Sequence, residues 1–192
     1  MIVGLDFFGV IANHLVKKAV FARTEWGLPI SENEATREAL VERLGKEEYR
    51  RFVLACEAQP VKRPLEHPLY EDVYDTLHAL AKEGDRFVLV SMQPSLAWQA
   101  ILEQYLTHHK LPIGVVGVVI TDEEKRGMCT RHGVQLFLDD NRSVLELLRP
   151  TGMTLVWANF YHRPEGGWNE PVAHSWREFA DIVRAARHKE GE

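Results

Sequence analysis

Five short apolar runs, at 2–6, 86–91, 115–120, 135–139 and 153–157, alternate with stretches whose apolar residues recur every three or four positions. Runs of this kind are buried strands, and the intervening spacing is that of helices packed by one face. Parallel strands need a crossover of about a dozen residues or more, usually a helix. The pattern therefore predicts an α/β fold: a three-layer, Rossmann-like parallel sheet of about five strands with helices on both faces. In such sheets ligands bind at the carboxyl ends of the strands. Four of the five runs end at, or just before, a residue suited to phosphate or metal chemistry: Asp6, Ser91, Lys125 a short loop beyond its strand, and the pair Asp139 and Asp140. Gly9 follows Asp6 closely and lets the chain turn near whatever that carboxylate holds.

The alternation is interrupted once. Leu15, Val16, Ala19, Val20 and Ala22 predict a helix over 14–26. Ser31 and Glu34 have capping-box spacing and predict a second helix through Leu40, Val41 and Leu44 to Gly45. Tyr49, Phe52, Val53 and Cys56 predict a third, before Pro60, Pro64 and Pro68 break the pattern. Residues 14–69 thus read as a helical insertion after the first strand, and 1–13 with 70–192 as the α/β core. Leu69, Val73, Leu77 and Leu80 then mark a helix closed by Gly84, and Pro94 to Ala97 open one reaching about residue 109. A short helix from about Glu124, another over 143–148 and a last one opened by Ser175 and Glu178 complete the series.

Composition narrows the function. The 23 basic and 28 acidic residues give a formal charge of −5, which lacks the basic footprint a nucleic acid duplex needs. A small anionic substrate requires only a few local cations. Cys56 and Cys129 stand far apart, as two buried thiols of a reducing compartment rather than a disulfide framework. With no basic-then-apolar leader and no apolar run near ~20 residues, the expectation is a cytoplasmic protein with no membrane partner. Oligomeric state is not legible.

The ordered set Asp6, Phe8, Gly9 and Val10, then Ser91, Lys125, and Asp139 with Asp140, with a helical insertion straight after the first motif, resembles the haloacid dehalogenase (HAD-like) superfamily of hydrolases over nearly the whole chain. The segment Val156 to Tyr161, followed by Val172 to Trp176, is loosely similar to the 5′(3′)-deoxyribonucleotidase branch. The resemblance implies a magnesium-dependent phosphohydrolase acting on a small phosphorylated molecule through an aspartyl-phosphate on Asp6. Ser91 and Lys125 would hold the phosphoryl group, with Arg126 an alternative cation. Mg2+ would be held by Asp6, Asp140 and the carbonyl of Phe8, with Asp139 nearby, and the insertion would be a cap. A dianionic phosphate repels a carboxylate nucleophile, which is why the chemistry needs a cation and an ammonium together.

Phe8 departs from the family pattern, where phosphomonoesterases carry a second Asp that protonates the leaving group. Phenylalanine cannot transfer a proton, and the lost step is generally worth about 10²–10⁴-fold. His14, just past the motif, is an alternative proton donor. Val144 stands where a further acidic or amide residue often follows the metal pair, with Asn141 as a stand-in. A catalytically silent relative that binds a phosphorylated ligand or a protein is the competing reading, and cleavage of carbon–halogen or carbon–phosphorus bonds a third. Each remaining motif residue has a bland counterpart: Asp6 as a loop cap, Ser91 as a strand-end hydroxyl, and Asp139 and Asp140 as caps of the 143–148 helix.

Overall fold

A computed structural model describes residues 1–57, 65, 67–93 and 95–190. Pro60, Pro64 and Pro94 lie outside the described residues. The chain divides into two compact units, one formed by Met1–Ile11 with the chain from Leu69 onward, the other by Ala12–Pro68.

The larger unit is built on β1 (Ile2–Leu5), β2 (Arg86–Met92), β3 (Ile113–Val119), β4 (Leu136–Asp139), β5 (Thr154–Ala158) and β6 (Val172–Ala173). All pair in parallel in the order β3-β2-β1-β4-β5-β6. The sixth strand escapes sequence reading because two residues are too few to show a period. β2 is buried at five successive positions, as expected of a strand covered on both faces.

The helices of this unit include α4 (Val73–Lys82), α5 (Trp98–His108), α6 (Asp122–Arg131), α7 (Arg142–Leu148) and α8 (Trp176–Glu190). Cys129 of α6 and Val144, Leu145 and Leu148 of α7 pack with Val88, Val90, Phe137, Leu155 and Trp157 on one sheet face. Side chains alternate along a strand, so Leu89, Leu138 and Val156 point to the other face. α4 and α8 pack against each other. The strand order reverses between β1, which leads through α4 to β2, and β4, which is reached from β3 through α6. That reversal is the topological switch point, where the ends of two neighbouring strands leave a crevice.

Several expected boundaries move for local reasons. α5 begins at Trp98, not within the Pro94 to Ala97 stretch before it. α6 begins at Asp122 because Thr121 and Glu124 form a reciprocal capping box, the Thr121 hydroxyl accepting from the Glu124 N–H while the Glu124 carboxylate accepts from the Thr121 N–H. Lys125 therefore lies within α6, whose start is two residues earlier than the expected Glu124.

The smaller unit contains α1 (His14–Glu25), α2 (Arg37–Leu44) and α3 (Lys46–Glu57). Ser31 does not start α2. Its N–H and hydroxyl both donate to the Glu34 carboxylate in a local turn, and the true cap is Thr36, which accepts from the Ala39 N–H. Phe52 is fully buried, with the Phe21 and Trp26 rings each 5.5 Å away. Phe52 belongs to the unit's core with Leu15, Ala19 and Leu40, and the other two rings are partly buried against it. Both cysteines are buried thiols. No helix among the described residues is long and apolar enough to cross a membrane.

Gly4 and Phe137 are register partners on β1 and β4. A Cβ at Gly4 would lie 2.3 Å from the Phe137 ring and 2.8 Å from Val134. Neither neighbour is a flexible chain end, so Gly4→Ala should destabilise by about 1–3 kcal/mol through overpacking. In a protein of this size that lowers the melting temperature by roughly 2–4 °C per kcal/mol, readable by calorimetry. An unchanged melting temperature would show that the ring has room to move.

Candidate active site

Period two places Gly4 and Asp6 of the β1 segment on the same sheet face as Phe137 and Asp139 of β4. The backbone N–H of Asp6 donates to the Leu138 carbonyl at 3.0 Å, extending the β1–β4 pairing to the level of the two aspartates. α6 covers this face and supplies Lys125. The ammonium donates to Asp6 Oδ1 at 2.9 Å and to Asp139 Oδ2 at 2.7 Å, and lies 5.1 Å from the centre of the Phe137 ring. Lys125 and Asp139 are buried and Asp6 is mostly so. Arg126, the alternative cation, points away: it is exposed and lines a surface recess of about 670 Å³ with Glu123, Thr130 and Pro150.

Asp140 leaves the strand beside this pair. Carboxylate oxygens of Asp6, Asp139 and Asp140 lie within 4.8 Å of one another. Three carboxylates beside one ammonium leave an excess of two negative charges when all are ionised, and oxygen donors so arranged suit a hard divalent cation such as Mg2+. Gly9 has φ +80°, and a Cβ there would fall 2.4 Å from Asp140 Cγ. Only glycine meets both conditions. Asp139 Oδ1 accepts from the Asn141 N–H at 2.8 Å, so Asp139 is committed on both oxygens, to Lys125 and to the backbone.

The electrostatics follow from burial. Desolvation pushes the Asp6 carboxyl up to about 6; Lys125 pulls it down, and the neighbouring Asp139 charge pushes it up again. For Lys125, burial alone would lower the pKa, but Asp139 and Asp6 outweigh it and hold the ammonium charged, above its ordinary value. Burial also pushes the Cys129 thiol up to about 12, leaving it a neutral core residue.

Ser91 is placed differently. It is the penultimate residue of β2, 1% exposed, and its hydroxyl accepts from Gln93 Nε2 at 2.9 Å. Among the described residues no bond joins it to Lys125 or to the carboxylates. Gln93 is a buried amide that lies outside any periodic pattern in the sequence. The Phe8 ring packs edge-on to Phe7 at 4.8 Å and to Trp98 at 5.8 Å, so an apolar wall occupies the position two residues after Asp6. Asn141 is the N-cap of α7, its side-chain oxygen accepting from the Ser143 N–H, and Val144 is buried core. Asn141, not Asp139 or Asp140, caps that helix. His14 opens α1, in the smaller unit.

No protein-family model and no curated protein sequence matches the chain. Solved structures do. A predicted phosphoglycolate phosphatase from Haemophilus somnus aligns with a TM-score of 0.62 at 20% identity, over 96% of this chain and 96% of that one. A haloacid dehalogenase-like hydrolase from Streptococcus pneumoniae gives 0.65 at 12% identity, over 95% and 97% of the two chains. Another from Xanthomonas campestris gives 0.59 at 14% identity, over 100% and 97%. With the parallel six-stranded sheet, these alignments show that the chain has the fold of the haloacid dehalogenase-like hydrolases.

Proposed function

We propose that the chain is a magnesium-dependent phosphohydrolase acting on a small phosphorylated substrate, with Asp6 as nucleophile and no general acid at Phe8. The observation that carries this reading is the Lys125 ammonium bonded to both Asp6 and Asp139 at the switch point, with Asp140 completing a three-carboxylate cluster. The phosphatase and dehalogenase-like hydrolases that share the fold support hydrolysis as the reaction class. Mg2+ would be held by Asp6, Asp140 and the Phe8 carbonyl, with Asp139 beside them. Bound there, it would draw charge from the phosphoryl oxygens as they become more negative. Asp139 already serves Lys125 and the Asn141 N–H, one through each carboxylate oxygen.

The chain's own residues supply the rest. Lys125 holds one Asp6 oxygen, which fixes the carboxylate for attack on phosphorus; the bond to the leaving oxygen breaks as the aspartyl-phosphate forms. Ser91, kept in place by Gln93, is the candidate ligand for a phosphoryl oxygen. Phe8, two residues after the nucleophile, offers no proton, so the leaving oxygen departs as an anion or takes its proton from water. The helical insertion at 14–69 is the candidate cap, which would screen the covalent intermediate from bulk water.

Two outcomes test the roles of Asp6 and Phe8. Asp6→Asn should abolish turnover, and in chelator it should also raise the melting temperature at neutral pH. The sign follows from the carboxyl pushed up to about 6: the folded protein holds that proton more tightly than the unfolded chain does. Stability from Asp6 is therefore full below about pH 4 and is lost as pH rises through about 6. The gain in Asp6→Asn should shrink toward about pH 4. Turnover at the wild-type rate would remove Asp6 from the mechanism.

Without an acid, the rate should depend steeply on the leaving group. Acetyl phosphate and p-nitrophenyl phosphate should be hydrolysed far faster than alkyl or nucleoside monophosphates, and Phe8→Asp should narrow the gap, by up to ~10²-fold on the poor leaving groups. If wild type cleaves alkyl and aryl phosphates equally well, another group supplies the proton. If both proteins bind Mg2+ yet cleave nothing, the chain is a binding protein and not a phosphohydrolase.

A further inference from the structure

We propose that Trp157 and Arg163 are positioning residues for Asp140, fixing its backbone carbonyl so that its carboxylate faces the metal position. The inference rests on the metal assignment above. Asp140 sits between the end of β4 at Asp139 and the Asn141 cap of α7, so its carbonyl is served by neither the sheet ladder nor a helix. A buried carbonyl in a strand-to-helix link must find another donor. It finds two: Trp157 Nε1–H, 3.1 Å away, and the Arg163 guanidinium.

Both donors are themselves held rigidly. Trp157 is 1% exposed and is the register partner of Asp139 on β5, so its indole sits beside the strand end it serves. The Arg163 guanidinium lies 5.1 Å from the centre of the Trp157 ring, a cation–π contact that ties the two donors together. Asn159, fully buried, clamps the loop that presents Arg163: its side-chain oxygen accepts from the Arg163 N–H at 2.7 Å and its amide donates to the Arg163 carbonyl at 2.8 Å. On its other side Asp140 packs against the Gly9 backbone, where no Cβ would fit. The side chain of Asp140 is thus set from both sides. This gives a role to the Val156–Tyr161 segment, whose aromatic and amide residues have no part in phosphate or metal ligation.

Groups that orient metal ligands typically cost about 10–100-fold in metal affinity or activity when removed. Mn2+ serves as the probe, its free concentration read by electron paramagnetic resonance without any substrate. Wild type should bind Mn2+ and Asp140→Asn should not. Trp157→Phe, which keeps a ring but loses the N–H, and Arg163→Met should each weaken binding by about 10–100-fold. In turnover assays the metal activation constant should rise similarly while kcat at saturating metal stays near wild type. Arg163→Lys keeps the charge without the planar fork and should fall in between. If wild type binds Mn2+ and the Trp157 and Arg163 variants bind it as tightly, the positioning role is wrong while the metal site stands. If wild type binds none, the metal assignment fails and this inference with it. Circular dichroism checks each fold, and should Arg163→Met unfold, Trp157→Phe and Arg163→Lys decide.

Discussion

A single buried ammonium organises this molecule's candidate active site. Lys125 reaches from α6 to two carboxylates that the sheet sets side by side, Asp6 after β1 and Asp139 at the end of β4. Removing the ammonium itself would leave two buried carboxylates uncompensated, typically at a cost of about 3–5 kcal/mol. The geometry is therefore tightly constrained from beneath. Gly4 leaves room for the Phe137 ring, the ring lies under the ammonium, and the capping box of Thr121 and Glu124 fixes where α6 begins and hence which way Lys125 points. A methyl group at position 4 and a lost cap at position 121 would reach the same place by different routes.

The same arrangement is electrostatically unfinished. Lys125 offsets one charge among three clustered carboxylates, and burial already resists ionisation of Asp6. A divalent cation would stabilise such a cluster, since its binding favours the ionised form that folding alone disfavours. The carboxylate–lysine cluster stabilises charge, whereas Phe8, two residues after Asp6 and packed on the Phe7 and Trp98 rings, cannot pass a proton. That pairing limits the proposed chemistry to leaving groups that tolerate negative charge.

Much of this was legible in the sequence because it depends on periods. Alternating apolar runs located the strands, and the strand ends located Asp6, Asp139 and Asp140, since a parallel sheet exposes its carboxyl edge whatever the helices contain. Order along the chain locates Lys125, and the capping signal of Thr121 and Glu124 moves the start of its helix only from about Glu124 to Asp122. Ser31 and Glu34 carried the same signal and meant something else, a local turn whose hydrogen bonds compete with a helix start. Gln93, Trp157 and Arg163 could not be assigned partners beforehand. The contacts of Trp157 and Arg163 cross between strands and loops and depend on register and strand order, while Gln93 meets Ser91 two residues away but outside any periodic pattern.

The claim on which everything else depends is that Asp6 becomes phosphorylated. The direct measurement is to react the protein with acetyl phosphate and Mg2+, reduce any acyl-phosphate with borohydride, and map the product by peptide mass spectrometry. The account predicts that the aspartate at position 6 is converted to homoserine, only when Mg2+ is present, and that Asp6→Asn shows no modified peptide. Turnover of acetyl phosphate with position 6 unmodified, or with the modification on another carboxylate, would contradict it.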